Sequence, residues 1–255
     1  MTRRGGRGKL SRPSSPPPVV AAAGHRLTAI DALRGAAIVA MIAYHFCFDL
    51  TVFRLAPWDF YRDAFWIVAR GAIVSSFLLL VGISLVLARR DGVPATRFWR
   101  RTALIAAAAV AVSAGSYLMY PQSFIYFGIL HAIAVGSVLA RPLVPMPLAA
   151  LALGAIAIAL GNSVALPFFD APLASIVGLT TTKPPTEDYV PLLPWLGVVL
   201  VGIAAGHALA RTGFAAVAFL DRAPRWLAWL GRHSLLVYLA HQPILLGLLW
   251  LVARP

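Results

Sequence analysis

The stretch DALRGAAIVAMIAYHFCFDL, from Asp31 to Leu50, is apolar enough to enter a membrane, yet it carries four titratable side chains. Arg34 and His45 are 11 residues apart. At 100° per residue, that separation returns to nearly the same helix face, about 16 Å further along. Asp31 precedes Arg34 by three residues and Asp49 follows His45 by four, so both are neighbours on that face. The spacing therefore predicts one polar stripe along a membrane helix.

The composition of the whole chain predicts a multi-spanning membrane protein. Of its 255 residues, 60% are hydrophobic and 12% are charged. A soluble domain this apolar could not cover its surface with polar groups. The net charge of +13 first suggests nucleic acid, but the basic residues lie in short clusters between long apolar runs, so we expect no nucleic-acid partner. The single cysteine, Cys47, excludes an intramolecular disulfide and any multi-cysteine metal site, and no metal is expected.

Seven apolar spans follow a basic, proline-containing tail over residues 1–26, which we expect to be disordered and cytoplasmic. Each span has about 17 to 25 residues, the length that crosses a hydrocarbon core of about 30 Å. Backbone groups in lipid need partners within the same segment, so the spans must be helices. The sequence thus predicts an all-α integral membrane protein. The spans run roughly from 30 to 48, 64 to 88, 102 to 119, 124 to 140, 147 to 167, 190 to 210 and 234 to 252.

The distribution of basic residues predicts the orientation. With the amino terminus in the cytoplasm and seven spans, 16 lysines and arginines lie on the cytoplasmic side and 4 lie outside. The segment 213–234 has too short an apolar run to cross, and its tryptophans beside basic residues suit a helix on the inner surface. The longest outside loop, about 168–189, is expected to be irregular, and loops of that length are often functional.

The charged and imidazole side chains within the first span indicate a functional site. Ionisable groups at membrane depth are costly and usually face a bundle interior or a wet cavity. Two other interpretations stay open. Asp31 and Arg34 could form an interfacial ion pair that caps the first helix, and His45 could be a packed histidine that bonds to a neighbouring helix.

Several stretches of the sequence resemble known membrane enzymes. The R(x10)H arrangement of Arg34 and His45 is similar to the signature of membrane-bound acyltransferases that modify cell-surface sugars. Five stretches in order look like the heparan-alpha-glucosaminide N-acetyltransferase catalytic-domain family in its short bacterial form. They are IDALRGAAIVAMIAYHFCFDL, FLLLVGISLVLARR, IYFGILHAIAVGSVL, DYVPLLPWLGVVLVGIAAG and GRHSLLVYLAHQPIL. The resemblance makes residues 27–255 an acyltransferase-like membrane domain and implies a multi-pass protein of the bacterial cytoplasmic (inner) membrane.

The resemblance implies that an acetyl group passes from cytoplasmic acetyl-CoA to an amino sugar on the far side of the membrane. In that family a histidine at or just beyond the outer end of the first helix is implicated. This sequence has no large luminal domain, and its first outside loop, TVFRLAPWDFYRD, contains no histidine. His45 is then the nearest candidate, as a general base or as an acyl carrier. Asp49 could orient it, while Arg34 with Asp31 beside it could contact CoA phosphates, a snorkelling arginine being the alternative.

Further candidates lie in other spans. Arg70 and His131 are predicted at a depth similar to that of the first-helix histidine, where cationic groups could stabilise a tetrahedral oxyanion, although His131 could be a packed histidine. Asp188 and Tyr189 could bind an acceptor sugar, although a carboxylate near a helix amino terminus is the simpler interpretation. The resemblance also raises His241, in the seventh span, above a packing role.

The expected function is therefore a membrane acyltransferase with acetyl-CoA as the donor. Its expected partners are the lipid bilayer and a sugar or glycolipid acceptor, with homo-oligomerisation left open. Two other classes also stay open. One is a small-solute or proton-coupled transporter whose path is lined by Asp31, Arg34 and His45, and the other is a non-catalytic membrane assembly subunit.

Overall fold

The computed structural model describes residues 19–253, and the side chains of residues 28–253. This part of the chain is built from eight α-helices joined by loops and short 3-10 turns. The helices are α1 (Val19–Val52), α2 (Ala64–Arg90), α3 (Ala95–Met119), α4 (Ile129–Ala140), α5 (Pro147–Ser163), α6 (Leu192–Arg211), α7 (Arg225–Arg232) and α8 (Ser234–Val252). The 3-10 turns are Arg141–Leu143, Pro167–Asp170, Ala174–Val177 and Ala215–Arg222. The prediction of an all-α protein is confirmed for these residues.

Each of the seven predicted spans contains one apolar helix. Five helices are long and apolar enough to cross a membrane, namely Thr28–Val52 within α1, and α2, α3, α6 and α8. The other two, Ile129–Leu143 and Pro147–Ser163, are shorter apolar helices. Seven spans and a cytoplasmic amino terminus therefore stay predictions. Of the expected tail, residues 1–18 lie outside the described residues, and the remainder forms the first turns of α1.

The helix predicted from residue 124 begins only at Ile129, so the prediction was wrong for residues 124–128. The chain before α4 is extended because it bonds to a second segment that precedes α6. The Glu187 N–H donates to Ser123 O at 3.0 Å, and the Val190 N–H donates to Phe127 O at 3.1 Å. The two segments run parallel, and Phe127 and Val190 are buried between the helices. The same contacts hold the end of the long loop, which is irregular as expected apart from two 3-10 turns.

The core forms around α6, which packs against α2, α4 and α5. Its inward face supplies Val199, Leu200 and Ile203, all nearly inaccessible to solvent. Helix α1 packs against α2 on one side and against α7 and α8 on the other, while α3 completes the assembly beside α4. Many large apolar side chains elsewhere on these helices are exposed, as lipid contact requires.

Helix α7 is pressed against the amino-terminal half of α1. A Cβ atom on Gly231 would collide with the backbone carbonyl of Asp31, and one on Gly35 would collide with that of Leu227. Only glycine therefore allows this separation of the two backbones. Trp226 and Trp229 stay exposed on the opposite side of α7, in agreement with the predicted amphipathic helix. The contact fixes the surroundings of the first charged pair.

Candidate functional site

Asp31 and Arg34 form an ion pair one turn apart, as their spacing predicts. Arg34 Nη1 lies 2.8 Å from Asp31 Oδ1, and both side chains are 17% exposed. Arg34 Nη2 donates a second hydrogen bond of 2.8 Å to Ser84 Oγ on α2. Arg232 of α7 approaches Asp31 Oδ2 at 4.0 Å. The pair thus connects α1 to two other helices, and it is more than a local cap of one helix.

A cavity of about 370 Å³ lies between α2, α3 and α4, beside this pair. Ser84, the partner of Arg34, forms part of its wall, together with the hydroxyl-bearing Thr102 and Ser137. The guanidinium of Arg141 lies 4.4 Å from the centre of the Phe98 ring, which also lines the cavity. No aspartate or glutamate is among the lining residues. The cavity therefore attracts anions, because four arginines line it: Arg89, Arg97, Arg101 and Arg141.

His45 and His241 form a stacked pair where α1 contacts α8. Their ring centres are 5.0 Å apart and their planes differ by 25°. One turn further along α1, Asp49 is only 1% exposed, and its Oδ1 accepts a hydrogen bond of 2.8 Å from Gln242 Nε2. The polar stripe predicted on α1 therefore turns to different neighbours at its two ends, to α2 and α7 near Arg34 and to α8 near His45.

Four polar atoms at this α1–α8 contact are buried without a hydrogen-bond partner in the described structure. Buried polar groups are normally paired, so an unpaired group indicates a place where a ligand or water bonds. Three of these atoms can only accept a hydrogen bond. Each belongs either to a side chain that already donates through its other polar atom or to a carboxylate, which has no hydrogen to donate. The four atoms are His45 Nδ1, Asp49 Oδ2, His241 Nε2 and Gln242 Oε1.

Arg70, Asp188 and Tyr189 form a third group, near the start of α2. Arg70 Nη2 donates to the Tyr189 backbone oxygen at 3.1 Å and lies 3.8 Å from Asp188 Oδ1. Asp188 Oδ2 accepts the Ile129 N–H at 2.9 Å, so this carboxylate caps a helix, as the simpler interpretation predicts. The capped helix is α4, however, and not α6, which follows Asp188 in the sequence. The Tyr189 hydroxyl donates to Ser175 O, and burial raises the pKa of the Tyr189 phenol.

His131 lies in the first turn of α4, and both of its ring nitrogens are engaged there. Its Nδ1 accepts the Gly128 N–H at 3.2 Å, and its Nε2 lies 3.3 Å from Ser113 Oγ. Ser113 Oγ in turn donates to Ile125 O at 2.6 Å. These bonds join α3, the extended segment and α4, so they favour the packed histidine that the sequence left open. Its contribution to an oxyanion site stays a prediction.

The structure thus brings His45, Asp49 and His241 together, joins Arg70 to Asp188 and Tyr189, and keeps Asp31 with Arg34. Sequence reasoning missed Gln242, whose signal is an amide in the middle of the apolar span 234–252. It also used the four cavity arginines only to orient the chain. Among the described residues, no group of three or more His, Cys, Asp or Glu side chains could hold a metal ion.

The helices and sites define a multi-pass membrane protein with a cationic cavity near one end of α1 and a stacked histidine pair near the other. A family model for the catalytic domain of heparan-alpha-glucosaminide N-acetyltransferase matches residues 26–243, most of the chain. The chain belongs to this family, and the resemblance seen in the sequence is confirmed. Membership makes it a membrane transferase of the acetyltransferase type. Comparison with curated proteins and with solved structures gives no match.

Proposed function

We propose that this protein transfers an acetyl group from cytoplasmic acetyl-CoA to a sugar or glycolipid on the opposite side of a bacterial inner membrane. The observation that carries the proposal is that one helix, α1, links the two polar sites. Arg34 bonds to Ser84 in the wall of the cationic cavity, and His45 follows 11 residues later in the stacked pair. The two sites are thereby separated along α1 by about 16 Å, so a donor and an acceptor can reach them from opposite sides.

The cationic cavity suits the phosphates of CoA. Arginine forms paired, charge-assisted hydrogen bonds with phosphate oxygens, and the four arginines meet no acidic residue in the cavity wall. The volume of 370 Å³ lies within the range of about 300 to 1,000 Å³ typical of small-molecule sites. Asp31 and Arg34, which the sequence predicts for donor binding, lie beside the cavity and position Ser84. When bound, the donor supplies an acyl thioester that is already activated for transfer.

The acceptor would enter at the other end, where two loops meet. Lys183 Nζ of the long loop lies 5.1 Å from the centre of the Tyr61 ring in the first loop. Burial, and then the nearby charge of Arg70, lower the pKa of Lys183. Tyr61 is 65% exposed, so its ring is available to a sugar. In this proposal His45, Asp49 and His241 act on the acceptor beneath this mouth, while Arg70, Asp188 and Tyr189 keep the mouth in place.

The test is turnover of labelled acetyl-CoA by the purified full chain, with a panel of surface sugars and glycolipids as acceptors. We expect labelled acceptor and free CoA to appear together. The matched control is Arg62→Ala, because Arg62 is an exposed arginine on the outer loop, whereas the double variant Arg97→Ala, Arg101→Ala should lose activity at limiting donor.

Each other class of function predicts a different result. A transporter would move solute across proteoliposomes without an acyl donor, and an assembly subunit would show neither flux nor turnover. Folded protein that neither turns over acetyl-CoA with any acceptor nor is stabilised by CoA against heat would overturn the proposal.

A further inference from the structure

The geometry points to His241, rather than to His45 alone, as the base that takes the proton from the acceptor, with Asp49 and Gln242 holding the acceptor beside it. This inference rests on the proposed acetyl transfer. It departs from the expectation that the first-helix histidine carries the proton chemistry by itself. At the α1–α8 contact, some buried polar atoms are able to donate a hydrogen bond and others can only accept one.

The tautomer of His241 follows from its hydrogen bond to Tyr238. His241 Nδ1 lies 2.5 Å from the Tyr238 backbone oxygen. A carbonyl oxygen can only accept, so Nδ1 must carry the hydrogen and the neutral ring has its lone pair on Nε2. That nitrogen is buried and makes no hydrogen bond in the described structure. His241 is thus oriented by a fixed partner and presents an unprotonated nitrogen, as a general base must.

The orientation of the Gln242 amide follows in the same way. Asp49 Oδ1 accepts from Gln242 Nε2 at 2.8 Å, which leaves Gln242 Oε1 and Asp49 Oδ2 as buried oxygens without a donor. The contact therefore presents three acceptors, namely these two oxygens and His241 Nε2. A group that carries several N–H or O–H bonds would satisfy them, because an unmade hydrogen bond at a buried atom is costly. An amino or hydroxyl group of a sugar has this character.

His45 has a different part in this arrangement. Its ring lies 5.0 Å from that of His241, so protonating both rings would place two cations together. At most one of the two rings is therefore cationic at a time. The carboxylate of Asp49, one turn from His45, supplies the opposite charge when the pair becomes cationic. His45 is thus a positioning residue that supports the base, and it lies beside the reacting atoms.

The proposed transfer forms one bond and breaks one bond at the acetyl carbon. The acceptor nitrogen or oxygen bonds to the acetyl carbon while the carbon–sulfur bond of the thioester breaks. The proton lost by the acceptor passes to His241 Nε2 and from there to the sulfur of CoA. The products are the acetylated acceptor and free CoA, and no oxidant, reductant or metal takes part.

The test compares His241→Gln with His45→Gln, using His233→Gln as the control because His233 is exposed and bonds only to the backbone of its own turn. We expect His241→Gln to lower kcat by at least about 10²-fold and to abolish the rise of the rate with pH, since the base is gone. KM for acetyl-CoA should not change. His45→Gln should lower kcat but keep the rise with pH. Wild-type kcat in folded His241→Gln, or a retained pH dependence, would overturn the inference.

Two further measurements do not depend on one variant. Nitrogen-15 spectra of histidine-labelled protein should show a protonated Nδ1 and an unprotonated Nε2 for His241, whose signals are assigned by their loss in His241→Gln. A protonated Nε2 would overturn the inference whether or not turnover is seen. Asp49→Asn places an N–H donor among the acceptors, so it should raise KM for the acceptor at least about tenfold, which is 1.4 kcal/mol of binding. An unchanged acceptor KM would contradict the acceptor-binding part. Absence of turnover in wild-type protein, with the expected tautomer present, would instead count against the proposed function.

Discussion

Gln242 donates a hydrogen bond of 2.8 Å to Asp49 Oδ1, across 193 residues of sequence and between the first and last helices. The bond is the sole hydrogen bond of the Asp49 carboxylate in the described structure, and its other oxygen is buried without a partner. A buried carboxylate depends strongly on each donor it has, because removing one partner leaves the full cost of desolvation. This bond therefore joins α1 to α8 and also shapes the histidine site.

We predict that Gln242→Leu lowers the free energy of unfolding by about 1 to 3 kcal/mol, the cost of an unsatisfied buried acceptor. The matched control is Ile244→Val, two residues further along α8, where the side chain is exposed on the outside of the assembly. Reversible unfolding in detergent, followed by circular dichroism, measures the difference. Equal stability of Gln242→Leu and wild type would show that Asp49 does not need this donor.

For the donor site, we predict that Arg97→Ala and Arg101→Ala each raise KM for acetyl-CoA about tenfold, since one charge-assisted hydrogen bond is worth about 1.5 to 3 kcal/mol. The value of kcat should change little, because these groups lie away from the reacting atoms. Initial rates over a range of acetyl-CoA concentrations give both constants. Arg62→Ala serves as the exposed control. A tenfold loss of kcat with KM unchanged would contradict a role in donor binding.

Arg34→Ala should weaken the use of acetyl-CoA more than the use of the acceptor. The variant removes the bond to Ser84 in the cavity wall and leaves Arg232, at 4.0 Å, as the ion-pair partner of Asp31 among the described residues. Arg34→Lys keeps the charge but not the fork of two donors, so we expect it to restore only part of the affinity for the donor. Apparent KM values for both substrates distinguish the two effects. If the acceptor KM alone rises, Arg34 has no part on the donor side.

The topology predicted by the basic residues can be tested with cysteines in a Cys47→Ala background. A cysteine at Thr182, an exposed position in the long loop, should react with an impermeant reagent on intact cells. A cysteine at Thr96, exposed at the start of α3, should react only after the membrane is broken. The reverse pattern would invert the orientation, and reaction of both on intact cells would place both loops outside.

Gly231→Val should lower the thermal midpoint of the protein, because the new side chain would collide with the backbone of α1 at Asp31. Gly247→Val is the matched control, since a Cβ there meets no atom within 4 Å. We also expect lower affinity for the donor in Gly231→Val, because a displaced α1 shifts Arg34 from Ser84. Thermal unfolding with and without CoA separates the two effects. Similar thermal midpoints for both variants would mean that α7 accommodates the new side chain without loss of stability.

The sequence predicted the features that depend on local pattern. Hydropathy located the apolar helices, and α8 has the bounds predicted for it, because lipid imposes one length and one composition on each span. The pairing of Asp31 with Arg34 follows from helix periodicity alone. Features that depend on distant partners were missed. The segment before α4 is extended because residues 187–190 bond to it, and no local signal reports that contact.

The candidate site divides in the same way. The neighbouring positions of His45 and Asp49 were predictable from their spacing, whereas their actual partners on α8 required the packing of the first helix against the last. Asp188 was expected at a helix amino terminus, yet it caps a helix that begins 59 residues earlier in the chain. The four cavity arginines lie around one cavity only because α2, α3 and α4 pack together, and no local pattern reports that packing.

The contact between Gly35 and Gly231 also bears on how the chain is made. Gly231 is 196 residues after Gly35, so at about 5 to 20 residues per second it leaves the ribosome roughly 10 to 40 seconds later. During that interval α1 must reside in the bilayer with its glycine face uncovered, and its arginine must be neutralised by Asp31 within the same helix. Ser84 reaches Arg34 next, and α7 arrives only after α2 to α6 have been made. Insertion of the first helix therefore depends on a charge pair carried within one turn, and α7 covers its glycine face only after the preceding helices have been made.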